Sequence, residues 1–168
     1  MICSYDMIND LMLKLESGEL NGNTVLNQFG IDKLAEEIAG FLQTSMEKQD
    51  ADTVDSLIYL VYCFDLQSNG LLKIFHELIL EKWHYKHEDL ARLIGKYKSP
   101  SSVPYLKDAA VLQLDYLQYE GDETFAFSRK CIRALRTINT AEANEAICEL
   151  SKSNRKEIAK IAKQCLPE

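Results

Sequence analysis

The sequence has little of what long loops, β-sandwich turns or membrane spans require. Three prolines and seven glycines are few for a chain of 168 residues, and they argue against an all-β architecture. No uninterrupted apolar run approaches the ~18 residues that a membrane-spanning helix needs. The most apolar run, Leu57–Phe64, lies between Asp55 and Asp65, and we expect it to form a central buried helix. With 46% hydrophobic and 27% charged residues, the composition is that of a folded globular protein.

Cysteine usage and the N-terminal residues both predict a cytoplasmic protein. The five cysteines are odd in number and widely spaced, which is not typical of a secreted disulfide scaffold. The opening residues MICSYDMIND contain neither a basic region nor the small-residue cleavage site of a secretory signal. Cys131 lies beside basic residues that would favour a reactive thiolate, but it also lies in an apolar stripe. We therefore expect Cys131 to be a buried structural thiol.

The motifs that usually carry catalysis are missing. There is no Gly-rich phosphate loop, no His-Glu-x-x-His and no Gly-x-Ser-x-Gly. His84 and His87 are three residues apart, with Glu88 and Asp89 beside them, but no Cys-x-x-Cys supplies further metal ligands. We expect solvated histidines at a helix junction. The sequence thus predicts a protein that is not an enzyme and has no cofactor or metal.

Charge is unevenly distributed between the two halves of the chain. Residues 1–80 carry four basic and thirteen acidic side chains, a net charge of −9, whereas residues 81–168 carry fifteen basic and thirteen acidic, a net charge of +2. The whole chain has a net charge of −7. An acidic surface favours a partner with a basic surface and disfavours nucleic-acid binding along the whole length.

Apolar periodicity indicates helices throughout. It predicts helices at 5–16, 31–47, 52–65, 71–83, 87–98, 101–117 and 125–138, with a turn at 17–23. Ser68 and Ser99 are placed to cap the helices that follow them. The spacings Asn139 to Glu142 and Asn154 to Glu157 suit capping boxes.

A helix-pair unit recurs in the second half of the chain. Residues 87–114 and 127–150 each contain an apolar-striped helix, a short polar break and a second helix, and a last helix begins at Asn154. If Leu57, Leu93 and Leu135 are equivalent inner positions, the repeat steps are 36 and 42 residues, near the ~40–47 of HEAT and armadillo repeats.

The predicted fold is therefore all-α. We expect a HEAT-like antiparallel helix-pair stack, a short right-handed α-solenoid of about eight or nine helices. Residues 1–168 would form a single domain, with acidic N-terminal helices in 1–80 and the helix pairs in 84–166. An ordinary helical bundle is the alternative.

The best candidate site is Asp115–Glu123, called here the Tyr/acid segment. It contains two tyrosines and four acidic residues between two predicted helix pairs. Tyrosines supply rigid contact area at protein interfaces, and carboxylates can occupy a basic cleft. The alternative is a helix end with solvated acids. The predicted partner-binding residues are Tyr116, Tyr119, Glu120, Asp122, Glu123, Arg129, Lys130 and Arg133; the three basic ones would orient the segment or contact acidic partner residues.

Basic residues also recur on two predicted helix faces. Arg129, Arg133 and Arg136 line one face, and three lysines, at 156, 160 and 163, line a face of the last helix. Such faces could contact nucleic-acid phosphates, as the basic concave surface of helical-repeat DNA glycosylases does. The alternative is a solvated face paired with the glutamates at 142, 145 and 149.

Residues 87–150 resemble a family of small bacterial HEAT-like proteins. The resemblance is carried by HEDLARLIG at 87–95, VPYL at 103–106, the tyrosines of YLQY at 116–119, RKCIRAL at 129–135 and INT at 138–140. Proteins of this kind are often immunity proteins of polymorphic or contact-dependent toxin systems. The resemblance implies binding and neutralisation of a cognate toxin domain in the cytoplasm, and the acidic charge suits a basic nuclease toxin. The alternatives are a nucleic-acid-binding or DNA-glycosylase-like repeat protein and a scaffold subunit.

Overall fold

The computed structural model describes residues 13–14, 17–19, 30–119 and 125–166, with backbone only at 118 and 119. It divides into two compact units, Met1–Ile74 and Phe75–Glu168, which are treated separately here. The predicted helix at 5–16 lies outside the described residues except for Leu13 and Lys14, which are helical, and residues 17–19 form part of the predicted turn. That the chain is a single domain stays a prediction.

The fold is all-α, as predicted. The described residues form nine α-helices and no strand: α1 (Ile31–Lys48), α2 (Ala51–Cys63), α3 (Asn69–Leu78), α4 (His87–Tyr97), α5 (Val103–Ala110), α6 (Asp115–Tyr119), α7 (Ala126–Ile138), α8 (Ala141–Leu150) and α9 (Lys156–Gln164). A 3-10 turn, Pro100–Ser102, leads into α5. None of the described helices is long and apolar enough to cross a membrane.

In the first unit, α1 packs against α2. Apolar residues of α1 at helical spacing, Leu34, Ile38 and Leu42, are buried, and Phe41 is half-buried. The prediction that Leu57–Phe64 forms a buried helix is confirmed for most of the run, but Tyr59 is 43% exposed and Cys63 is exposed. The run is apolar by composition, but α2 has a solvent-facing side.

One turn geometry recurs three times. The C-cap residues that directly follow α1, α4 and α7 are Gln49, Lys98 and Asn139. Each has a left-handed backbone conformation, with φ of 53°, 50° and 54°. The next residue is extended in all three cases and starts the second helix of the pair. The left-handed residue reverses the chain and the extended residue redirects it. At Gln49 and Asn139 the two helices that the turn joins, α1 with α2 and α7 with α8, pack against each other.

Two of these turns are closed by side-chain caps. Asp50 accepts the amide of Thr53 at 3.1 Å, and Thr140 accepts the amide of Ala143 at 3.2 Å. Thr140, not Asn139, is therefore the cap of α8, because Asn139 is used in the left-handed turn. Ser99 occupies the predicted N-cap position, ahead of the 3-10 turn, but its hydroxyl hydrogen-bonds the Ser101 hydroxyl and caps no backbone amide.

Equivalent helices of the second unit pack against each other. The first helices of the two pairs, α4 and α7, are in contact, and so are the second helices, α5 and α8. α9 packs on α7 and α8. Gly95 lets α4 approach α7 closely, because a Cβ there would lie 3.1 Å from the Cβ of Ala134. α5 also packs extensively on α7. A HEAT-like helix-pair stack, or solenoid, therefore stays a prediction.

Three helix ends differ from the prediction. α3 ends at Leu78, not near 83, because the chain then follows a loop held by buried histidines. The predicted helix 101–117 is interrupted at 111–114, where Arg155 binds the Val111 carbonyl. Asn154 is not the cap of α9: Arg155 is, and Ser153 Oγ accepts the Arg155 amide at 3.2 Å.

The predicted cap Ser68 is confirmed by its hydrogen bond to the Leu71 amide.

Replacing Lys98 by glycine should stabilise the second unit by about 0.5–1 kcal/mol, because a non-glycine residue pays roughly 1–2 kcal/mol for left-handed backbone. Urea unfolding followed by the fluorescence of Trp83, the only tryptophan, measures the change. Arg92→Gly, at an exposed position inside α4, is the matched control and should destabilise by about 1 kcal/mol. A lower urea midpoint for Lys98→Gly would contradict the strain argument.

Candidate functional site

The structure describes four of the eight predicted site residues in full. Tyr116 lies on α6, and Arg129, Lys130 and Arg133 lie on α7. Tyr119 ends α6, but its side chain lies outside the description, as do Glu120, Asp122 and Glu123. The described part of the site is the surface on which the Tyr/acid segment begins.

Tyr116 is anchored by a buried histidine. Its hydroxyl lies 3.1 Å from His87 Nδ1 and 3.5 Å from the carbonyl of Tyr85. His87 Nε2 lies 2.6 Å from the carbonyl of Glu81. A carbonyl can only accept, so Nε2 carries the proton, and in the neutral ring Nδ1 accepts the hydroxyl of Tyr116. The half-buried side chain of Tyr116 is thus held in one position by its hydroxyl group.

His84 holds the same loop from the other side. The Lys86 amide donates to His84 Nδ1 at 3.1 Å, and His84 Nε2 donates to the Leu78 carbonyl at 2.8 Å. The two imidazoles stack with ring centroids 4.2 Å apart. Both side chains are fully buried, so the prediction of solvated histidines is wrong. All four ring nitrogens are hydrogen-bonded, and none offers a free lone pair to a metal ion.

Burial keeps both rings neutral. Desolvation, helped by the neighbouring His84 ring, lowers the pKa of His87 to about 4, and the hydrogen bond to Glu81 opposes this only partly. Desolvation also lowers the pKa of His84, against the opposing effects of Leu78 and Glu81. A doubly protonated pair at 4.2 Å would be strongly repulsive. The loop at 79–86 therefore depends on two uncharged histidines.

The loop presents an aromatic side chain that the sequence analysis missed. Tyr85 is 67% exposed, and its ring stands perpendicular to that of Tyr116, with centroids 5.2 Å apart. Trp83, two residues earlier, is half-buried and donates its indole N–H to Glu81. Only the three-dimensional contact with Tyr116 distinguishes Tyr85 from other surface tyrosines, so no sequence signal could have identified it.

The basic residues of α7 have different environments. Lys130 pairs with Glu88 in the first turn of α4, the residue after His87. Arg133 and Arg136 are exposed, and Arg129 is half-buried. Of the glutamates expected to pair with these arginines, Glu149 pairs with Lys107 of α5 instead. The orienting role of these basic residues stays a prediction.

Cys131 is a structural thiol, as predicted. It is fully buried in α7, and burial raises its pKa far above the usual range of a thiol. A thiol of this kind is protonated at neutral pH and is a poor nucleophile.

The lysines of the last helix line a shallow surface depression. Its volume is about 520 Å³, and it is formed by Lys156, Ala159, Lys160, Lys163 and Gln164, all on α9. Lys160 and Glu157 lie 3.9 Å apart across one turn. The predicted face of three lysines therefore exists, with one acidic residue at its edge.

Comparison with known proteins gives no relative. No protein-family model, no curated protein and no solved structure matches this chain. The resemblance to immunity proteins thus stays a prediction, and the function is argued from the site alone.

Acid should destabilise the second unit through His87. The folded-state pKa of about 4 lies below the ordinary value of about 6.5. The stability that depends on the neutral ring is therefore complete above pH 6.5 and is lost as the pH falls towards 4, by up to about 3 kcal/mol.

Urea unfolding at several pH values, read by Trp83 fluorescence, measures this loss. His87→Gln keeps a donor for the Glu81 carbonyl but does not titrate. Its free energy of unfolding should therefore vary less between pH 6.5 and 4.5 than that of the wild type, and should be lower than that of the wild type at pH 7.5. Titration of carboxylates affects the stability of both proteins equally, so the difference between the two free energies of unfolding at each pH gives the contribution of His87. Parallel curves would show that His87 does not govern the acid response.

Proposed function

We propose that this protein is an immunity protein that binds and neutralises a cognate toxin domain, a nuclease, by occluding its active site. The observation that carries the proposal is the tyrosine pair, in which Tyr85 is exposed and stands on a Tyr116 fixed by His87. A rigid aromatic pair loses little conformational entropy on binding, and tyrosines are frequent hot spots of protein interfaces. The surface is suited to holding a partner.

Charge supports the choice of partner. The Tyr/acid segment that begins at this surface contains four acidic residues and no basic ones, within a chain of net charge −7. A nuclease active site is basic because it must hold phosphates. Acidic residues beside a rigid aromatic anchor would be attracted to that cleft and speed association.

Binding rather than catalysis is also part of the proposal. Among the described residues, the ring nitrogens of His84 and His87 are occupied by hydrogen bonds and the Cys131 thiol is buried. These groups hold the protein together and are not free to transfer protons or attack a substrate. Action in the cytoplasm, against a toxin that reaches it, belongs to the same proposal.

Truncation of the exposed tyrosine tests the anchor. If a nuclease toxin domain is encoded immediately upstream of this gene, Tyr85→Ala should weaken binding to it by about 2 kcal/mol, or roughly thirtyfold, mainly through faster dissociation. Surface plasmon resonance separates the two rates. Tyr59→Ala, which removes another exposed tyrosine, is the control and should leave both rates unchanged. If the two substitutions change the dissociation rate equally, Tyr85 is not the residue that anchors the partner.

Charge reversal tests the role of the acidic residues. The triple variant Glu120→Lys, Asp122→Lys and Glu123→Lys should slow association at least about tenfold at low salt and flatten its salt dependence. The control reverses three exposed acids elsewhere, at Glu36, Glu47 and Glu77. If the control slows association as much as the first variant, net charge matters and the segment does not.

The lysine-lined depression on α9 favours a second candidate function, nucleic-acid binding. Three lysines on one helix face can contact consecutive phosphates, although the net charge of the chain opposes this. A labelled duplex DNA should then shift in a gel at low salt, and Lys160→Glu with Lys163→Glu should abolish the shift. Absence of any shift at low salt would remove this candidate.

A further inference from the structure

The helices α4 and α7 lie side by side and run in the same direction. In their first turns, the ring of His87 lies 5.4 Å from the ring of Phe127. Two turns later on both helices, a Cβ on Gly95 would lie 3.1 Å from the Cβ of Ala134. Because the first contact joins start to start and the second joins later turn to later turn, the two helices are parallel.

Each of these helices has one solvent-facing stripe. On α4, the residues before Tyr97 that are not buried are Glu88, Asp89, Arg92 and Lys96. On α7, the residues after Ala126 that are not buried are Arg129, Lys130, Arg133, Arg136 and Thr137. An ion pair between Glu88 and Lys130 joins one stripe to the other. The two stripes are therefore neighbours on the same side of the helix pair, and together they are called here the α4–α7 face.

The α4–α7 face is basic, with six cationic side chains against two acidic ones. Both acids already have cationic partners, because Asp89 lies 3.8 Å from Lys86 and Glu88 pairs with Lys130. Three exposed arginines of the face make no ion pair with any described residue: Arg92, Arg133 and Arg136. Positive charge from two helices is thus gathered on one surface, where the sequence alone showed only the row on α7.

The glutamates of α8 do not neutralise this surface. Glu149 pairs with Lys107 of α5. Within the part of the chain that the structure describes, no ion pair joins Glu142, Glu145 or Glu149 to an arginine of α7. The expectation that these glutamates pair with the arginine row is therefore not met.

The composition of the face suits a polyanion better than a protein or a membrane. Protein interfaces and membrane-surface helices both use apolar or aromatic side chains. None of the exposed large apolar side chains among the described residues lies on α4 or α7. Four of the six cations are arginines, whose planar guanidinium binds phosphate through two parallel hydrogen bonds.

Its dimensions and its lack of exposed aromatic rings favour double-stranded DNA among the polyanions. A helix of the length of α7 extends over about 20 Å, and packed helices lie about 8–10 Å apart, so the face matches about six base pairs. Single strands are held by bases that stack on aromatic side chains, which the described residues do not expose on this face. Domains that bind duplex RNA extend over about 16 base pairs.

We propose that the α4–α7 face binds the phosphate backbone of double-stranded DNA without sequence specificity, through Arg92, Arg133 and Arg136. The inference goes beyond toxin neutralisation and does not depend on it, and the surface differs from the lysine-lined depression on α9. Contacts to phosphates fix a protein on the duplex but carry no sequence information. The net charge of −7 opposes the approach of DNA, so binding is weak and falls steeply with added salt.

A salt titration with a labelled DNA duplex of about 20 base pairs, followed by fluorescence anisotropy, tests the proposal. Three phosphate contacts give a slope of about −3 for the logarithm of the binding constant against the logarithm of the salt concentration. Arg92→Gln with Arg136→Gln removes two of them. This double variant should lower the magnitude of the slope by about 2 and weaken binding at low salt at least about tenfold.

Lys82→Gln with Lys152→Gln is the matched control. These exposed lysines lie outside the face, and their replacement removes the same charge, so the slope should stay as in the wild type. A third double variant, Lys160→Gln with Lys163→Gln, tests the depression on α9 in the same way. Urea midpoints equal to that of the wild type show that the variants are folded.

Four outcomes would overturn the proposal. They are no binding of the duplex by the wild type at low salt, equal losses in the arginine variant and the control, loss only in the α9 variant, and tighter binding of single-stranded DNA or duplex RNA than of duplex DNA. None of these measurements contains the toxin domain. Failure of DNA binding therefore leaves the proposed neutralisation standing, and failure of toxin binding leaves the α4–α7 face standing.

Discussion

Two uncharged imidazoles, stacked on each other and shielded from water, determine the path of the chain between α3 and α4. Burying a polar ring is unfavourable unless its nitrogens find partners, and here all four do. His84 binds the last carbonyl of α3, and His87 binds the carbonyl of Glu81 in the loop that follows. The loop thus obtains from side chains the hydrogen bonds that a helix would have supplied from its own backbone.

The candidate site depends on this arrangement at each step. The lone pair of His87 that remains after binding Glu81 accepts the hydroxyl of Tyr116, which orients α6 at the start of the Tyr/acid segment. Tyr116 in turn supports the ring of Tyr85. Lys130 pairs with the residue after His87 and connects α7 to the same helix turn. The surface that carries Tyr85 is thus built outward from a buried polar cluster.

Periodicity was sufficient for the fold and insufficient for the site. Leu57, Leu93 and Leu135, chosen as equivalent inner positions, are all buried, because a helix face that repeats every 3.6 residues is visible in a single sequence. The histidines were misjudged because their burial comes from partners 6 and 29 residues away. The break at 111–114 was missed for the same reason, since its carbonyl partner is Arg155, 44 residues further on. Local patterns predict helices, while the interruptions between them are decided by long-range hydrogen bonds.

The left-handed turns at Gln49 and Asn139 bear on how the protein folds. Each joins two helices that are neighbours in the sequence and pack against each other, so these two pairs close at small entropic cost and before distant contacts exist. Proteins assembled from such local contacts have low contact order and fold in microseconds to milliseconds. We therefore expect helix pairs to form first and the contacts across them, including those of Arg155, to form last. A surface completed in the final step of folding is also the first to open in a folded molecule.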